Sequence, residues 1–149
     1  MAAMIYGSNL IESAGSAQSI TLKLCSHIFA GLVAVPSEIP DNDPEFLSAR
    51  QHLAGHGLDA SQHAVLRSRR EIIQHAKAWK HLLLHMVCLN HPLSEDLILK
   101  THGILCDGVD LEDGSKASSY AGMYRTVNVC AGFNSFVSPA GVPSAMHNS

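Results

Sequence analysis

The sequence predicts a mainly α-helical protein with one β-hairpin, and three observations carry that reading. Between residues 61 and 90, Val65, Arg69, Ile72, Ala76, Trp79, Leu83 and Met86 recur three to four residues apart, the spacing of one helix face. Ser94 is a helix cap before the acidic pair Glu95 and Asp96. Behind it, Leu97, Ile98, Thr101, Ile104 and Leu105 form a second apolar face. From residue 124 the period changes to two. Tyr124, Thr126, Asn128 and Cys130 fall on one side and Arg125, Val127 and Val129 on the other, before a turn at Gly132 to Asn134 and a resumption at Phe136 and Val137.

The remaining elements follow in order. Residues 5 to 33 read as a helical segment broken near Gly15, with Ile20, Leu24, Ile28 or His27, and Gly31 on one face. Pro36, Pro40 and Pro44, then Gly55 and Gly57, mark a loop or linker with at most one short helix near 44 to 53. Ser61 can cap the long helix, and Asn90 to Pro92 ends it. Residues 107 to 122 read as a loop. Pro139 and Pro143 close the hairpin, and the last apolar residues begin another helix. The chain thus divides into residues 1–35, 36–60 and 61–149.

Composition excludes several classes. A chain of 149 residues suits one domain with a real core, and 46% apolar with 15% charged residues does not suit disorder. The formal charge of −3 attracts neither nucleic acid nor an anionic membrane. No run approaches the ~20 apolar residues of a membrane span, and no secretory signal is recognisable. Cys25, Cys88, Cys106 and Cys130 form no CxxC pair and are expected as four buried thiols in a reducing, cytoplasmic setting.

Few constellations carry chemistry by themselves. His52 with His56, and His81 with His85, stand at i, i+4 and can present two nitrogens to one metal, but neither pair encloses the Glu of HExxH. A His-rich metal-binding helix is therefore a minor reading, and solvated or core histidines are the expected one. His91-Pro92, followed by Ser94 and two acids, reads as a turn between helices. The Arg67 to Arg70 cluster reads as a solvated helix face. No phosphate loop or nucleophile elbow is present.

Several segments, in order, resemble the Fic (Fido) domain family. "SNLIES" is similar to its inhibitory motif, Ser/Thr-x-x-x-Glu-Gly/Asn, matched by Ser8 and Glu12 with Ser13 in place of Gly or Asn. "REIIQHAKAW" resembles the helix under the family's site, and "LSEDLILKTHGILCDGV" the next helix, with His102 before the loop. "AGMYRTVNVCAGFNSFVSPAGVPSAM" is similar to the Gly-x-Tyr-Arg segment, the hairpin flap and its Val-Pro-x-x-Met ending.

That resemblance implies a partial Fic-type helical bundle. Residues 1–35 would carry the inhibitory helix, and 61–149 the incomplete front of the Fic domain. The family transfers AMP from ATP, with Mg²⁺, to a hydroxyl side chain of a target protein. Glu12 would block the ATP γ-phosphate by pairing with the signature's second Arg, and Ser8 would cap or orient that helix end by hydrogen bonding. Gly132, Phe133, Asn134, Ser135, Phe136 and Val137 would form the flap that docks the target by strand addition. Arg125 is expected to be structural.

The family's signature, His-Pro-Phe-x-Asp/Glu-Gly-Asn-Gly/Lys-Arg, does not occur in these residues, and His91-Pro92 lacks the Gly-Asn-Gly-Arg run. The signature supplies general base, phosphate cradle, metal ligand and charge-neutralising Arg together. The chain as written is therefore expected to have no catalytic residue of its own, to bind neither ATP nor Mg²⁺ alone, and to be catalytically incompetent. The alternative is a non-enzymatic module that acts in trans on a complete Fic protein. A target protein or a complete Fic protein would be its partner.

Overall fold

The computed structural model describes residues 1–11, 14–31, 34–111 and 113–147. It is mainly helical with one small antiparallel hairpin. The first helix, α1, spans Ala2–Ile11. It already runs through Ser8, so Ser8 is an interior helical residue and not the start of a capped helix. The good helix formers Ala2, Ala3 and Met4 start the helix early, and Ile5 anchors it with no exposed surface. The second helix, α2, spans Gln18–Ala30 and closes at Gly31, whose φ of 67° suits a residue without Cβ.

The third helix, α3, spans Pro44–Gly55. Asp43 accepts from the Glu45 N–H at 2.7 Å, and Pro44 takes the first helical position, where no N–H is needed. This is the single helix expected between residues 36 and 60. It buries Phe46, Ala49 and Leu53 in the common core.

The long helix, α4, spans Gln62–Leu83, capped by Ser61, which accepts from the Ala64 N–H at 3.2 Å. Its ladder then widens into one π turn through Leu84–Cys88, and Asn90 at φ 53° reverses the chain. The fifth helix, α5, spans Glu95–Cys106, capped by Ser94 on the Leu97 N–H at 3.2 Å. Both serine caps fall where the sequence puts them.

The α4 stripe is the spine of the core. Val65, Ile72 and Ala76 are buried among Ile5, Leu24, Ile28, Phe46 and Leu53, so α1, α2 and α3 all pack on α4. Arg69 is buried within the same stripe as an ion-paired cation. The stripe opens beyond Ala78: Trp79 packs at the edge, while Leu84, Met86, Val87 and Leu89 are exposed.

The hairpin is shorter than its alternation suggests. Strand β1 is Cys130–Ala131 and β2 is Asn134–Ser135, paired antiparallel across Gly132-Phe133. Residues 124 to 129 alternate in sequence but form no strand, and the one further rung is the Phe136 N–H to the Val129 carbonyl at 3.2 Å. The sixth helix, α6, spans Val142–His147 as expected.

The thiols are not all buried, which corrects the expectation. Cys25 is buried and Cys106 half-buried, whereas Cys88 in the π turn and Cys130 in β1 are exposed, and all four are free. Apolar neighbours in sequence did not place Cys88 and Cys130 inside, because the π turn and the hairpin lie at the surface.

Candidate functional site

Two assemblies contain the residues singled out by sequence. The first is the junction of α1 with α4. Glu12 and Ser13 lie outside the described residues, and Ser8 is exposed on α1. What precedes and follows them is fixed by three side chains one or two turns apart on α4. Ser68 donates to the Gly15 carbonyl, and Glu71 accepts from the Gly15 N–H at 2.9 Å. His75 Nδ1 meets Asn9 Oδ1 at 2.8 Å, so that nitrogen carries the proton. Both backbone groups of Gly15 are thus held, and its φ of 77° with Asn9 packed against it leaves no room for a Cβ. Ser68, Glu71 and His75 share one helix face at i, i+3 and i+7. That spacing was visible in the sequence, but nothing there marked it as a clamp.

The Asn9–His75 contact is partly buried, with Asn9 only 7% exposed and His75 half-buried. Burial pushes the His75 imidazole below its ordinary pKa of 6.5. A histidine depressed in the folded state gives stability that is full above pH 6.5 and is lost as pH falls through the unfolded value. The thermal midpoint should therefore drop between about pH 7 and about pH 5, and drop less in His75→Gln, whose amide removes the titration. His52 and His81 are also depressed by burial but remain in both chains, so the difference isolates His75. Parallel pH profiles would refute the assignment.

Beside this junction an open cleft of about 760 Å³ lies among Gly15, His63, Arg67, Glu71, Asp110 and Lys116. Its charges answer each other. Arg67 pairs with Glu71 at 3.1 Å and Lys116 with Asp110 at 2.6 Å, which holds the Asp110 carboxyl below its usual range.

The second assembly is the base of the hairpin. Arg125 donates to the Val127 carbonyl at 2.8 Å and also to the Val137 carbonyl, so one guanidinium spans both flanks. These two bonds let Arg125 brace the base of the hairpin. Glu95, in the first turn of α5, accepts from Tyr124 and meets His147 Nδ1 at 3.0 Å, tying the segment before the hairpin and α6 after it to one carboxylate. Donation to Glu95 pushes the Tyr124 hydroxyl up to about 12. Gly122, at φ 69°, lies against the Leu99 carbonyl and Gly103, and its N–H donates to His102 Nδ1 at 3.2 Å. His102 therefore fastens the Gly122-to-Arg125 segment to α5.

The flap residues themselves are all exposed: Gly132, Phe133, Asn134, Ser135, Phe136 and Val137. Both hairpin edges are open beyond the two-residue pairing. No broad contact among the described residues joins α1 to the hairpin.

The N-termini of α3 and α5 are acidic, with Asp43 and Glu45 at one and Glu95 and Asp96 at the other, and such carboxylates repel phosphate, whereas α2 and α4 have no acid in their first turns. Among the described residues no group of three or more His, Cys, Asp or Glu side chains is arranged to hold a metal ion. Also among them, no helix is long and apolar enough to cross a membrane. Comparison with protein-family models, with curated proteins and with solved structures returned no match.

Proposed function

We propose that this chain is the front part of a Fic-type protein of the AMP-transferring class, and that it carries the regulatory helix and the target-docking hairpin but no catalytic residue. The observation that supports the reading is the double hold on Gly15. The Ser8-to-Glu12 motif is followed, three residues on, by a backbone unit clamped through both its N–H and its carbonyl to α4. A carboxylate that blocks a nucleotide site must be held in place, and an anchored Gly15 next to the motif suits that role. At the other end, Arg125 and Glu95 brace an exposed hairpin whose open edges suit strand addition by a target.

A second reading has its own observation. Leu10 and Ile11, beside Glu12, are 55% and 82% exposed. An apolar pair next to an acidic motif suits insertion in trans into a complete Fic protein, with the chain as a non-enzymatic inhibitor.

One experiment separates the two. The chain is incubated with labelled ATP and Mg²⁺ alone, fused to the signature-bearing helices of a Fic protein, and mixed with a complete Fic protein lacking its own inhibitory motif. The first reading expects no label from the chain alone, label from the fusion, and a rise of about tenfold or more with Glu12→Gly in the fusion. The second expects the separate chain to suppress labelling by the complete protein, and Glu12→Gly to relieve it. A Glu12→Gly change that alters neither the fusion nor the mixture overturns both.

A further inference from the structure

We infer that His85 and His91 form a two-nitrogen chelate for a tetrahedral divalent metal of zinc type at the end of α4. The sequence offers His81 and His85 as an i, i+4 pair with no third partner. The structure supplies a different neighbour. The π turn through Leu84–Cys88 and the left-handed Asn90 fold the chain back, and the His91 N–H donates to the His85 carbonyl at 2.8 Å. The two Nδ1 atoms then face each other 3.2 Å apart.

That separation is informative. Zinc–imidazole bonds are about 2.0–2.1 Å, so two nitrogens 3.2 Å apart on one ion subtend about 103°, near the tetrahedral angle. A right-angled pair, as in square-planar or octahedral sites, stands about 2.9 Å apart. The His85-x5-His91 spacing also lies within the H-x3–5-H range of zinc sites.

The His81 ring lies 4.4 Å from His85, and its Nε2 is shielded with no hydrogen-bond partner. No third side chain among the described residues is in ligating position, so water completes the coordination. The other close pair provides the contrast. His52 and His56 have ring centroids 4.3 Å apart, yet His56 Nδ1 is committed to the His52 carbonyl at 2.8 Å.

The test is a zinc titration of the full chain, without affinity tag, against a competing chromophoric chelator. Exposed Cys88 and Cys130 are changed to Ser so that thiols are silent. The expected result is one zinc per chain, weakened about tenfold or more in His91→Gln and in His85→Gln, and changed less than about twofold in His52→Gln. His91 is exposed, so its change leaves the core intact. The absence of zinc binding, or His91→Gln with wild-type affinity, overturns the inference.

Discussion

Replacing Phe46 with Ala should destabilise the fold by about 3–5 kcal/mol, read as a shift in the denaturation midpoint. For a chain of this size that is a fall of roughly 10 °C in thermal midpoint. Phe46 lies on α3, between the proline-rich and glycine-rich stretches, and is 1% exposed. It joins Ala49 and Leu53 at i, i+3 and i+7 in packing against Val65 and Ile72 of α4. Truncation leaves a cavity that α3 cannot easily close, because Pro44 and Asp43 fix one end of the helix and the ion pair of Glu45 fixes its register. Leu47→Ala is the internal control. Leu47 is exposed on the same helix, and its loss should cost less than about 0.5 kcal/mol. Equal small effects from both changes would mean that residues 36–60 are a spacer after all.

How much of this was legible in sequence depends on the range of the determining interaction. Ser61, Ser94 and the break at Gly15 were readable because a cap or a left-handed glycine acts within four residues. The core role of α3 was hidden by flanking Pro and Gly, although its apolar spacing was there to be found. The hairpin was overextended because alternation from Tyr124 to Val129 records a potential for pairing. The fold instead spends Tyr124 and Arg125 on Glu95 and on the Val137 carbonyl. The clamp of Ser68, Glu71 and His75 on α1 was not legible, since three polar residues on a helix face look the same whether water or another helix satisfies them. His91 was missed as a neighbour of His85 because only a π turn and a left-handed Asn90 bring them together.

The attachment of α1 has a consequence for its proposed role. Among the residues of α1 only Ile5 and Asn9 are buried, Ala2 packs against the core, and the helix meets both α2 and α4. An element with so few buried side chains belongs to the low-stability end of a structure. Regulatory elements are drawn from that end, because they must release at small cost. The rest of the bundle, with most of its buried residues on α2, α3 and α4, does not depend on α1 in the same way.

The largest electrostatic effect should come from Glu45. Its carboxylate pairs with Arg69 inside the core and with Lys23 at 2.9 Å toward solvent. Arg69 has only 8% of its side chain exposed, and its other partner is the Pro36 carbonyl at 3.0 Å. Removing Glu45 as Ala leaves the buried guanidinium without its ion-pair partner, with only the Pro36 carbonyl and the through-space charge of Asp43, at a cost of about 3–5 kcal/mol. Arg69→Met acts on the same pair from the other side and should cost far less. Met fills the stripe between Val65 and Ile72, and the carboxylate left behind keeps Lys23. Replacing a buried cation by an apolar chain of similar length is often neutral or even stabilising. The two changes combined should be less harmful than Glu45→Ala alone, since no buried charge then lacks a partner. Denaturation of the two single variants and the double variant, analysed as a cycle, measures this directly. If Arg69→Met proves as damaging as Glu45→Ala, the guanidinium stabilises through its own packing and its bond to Pro36, and the asymmetry argued from burial is wrong.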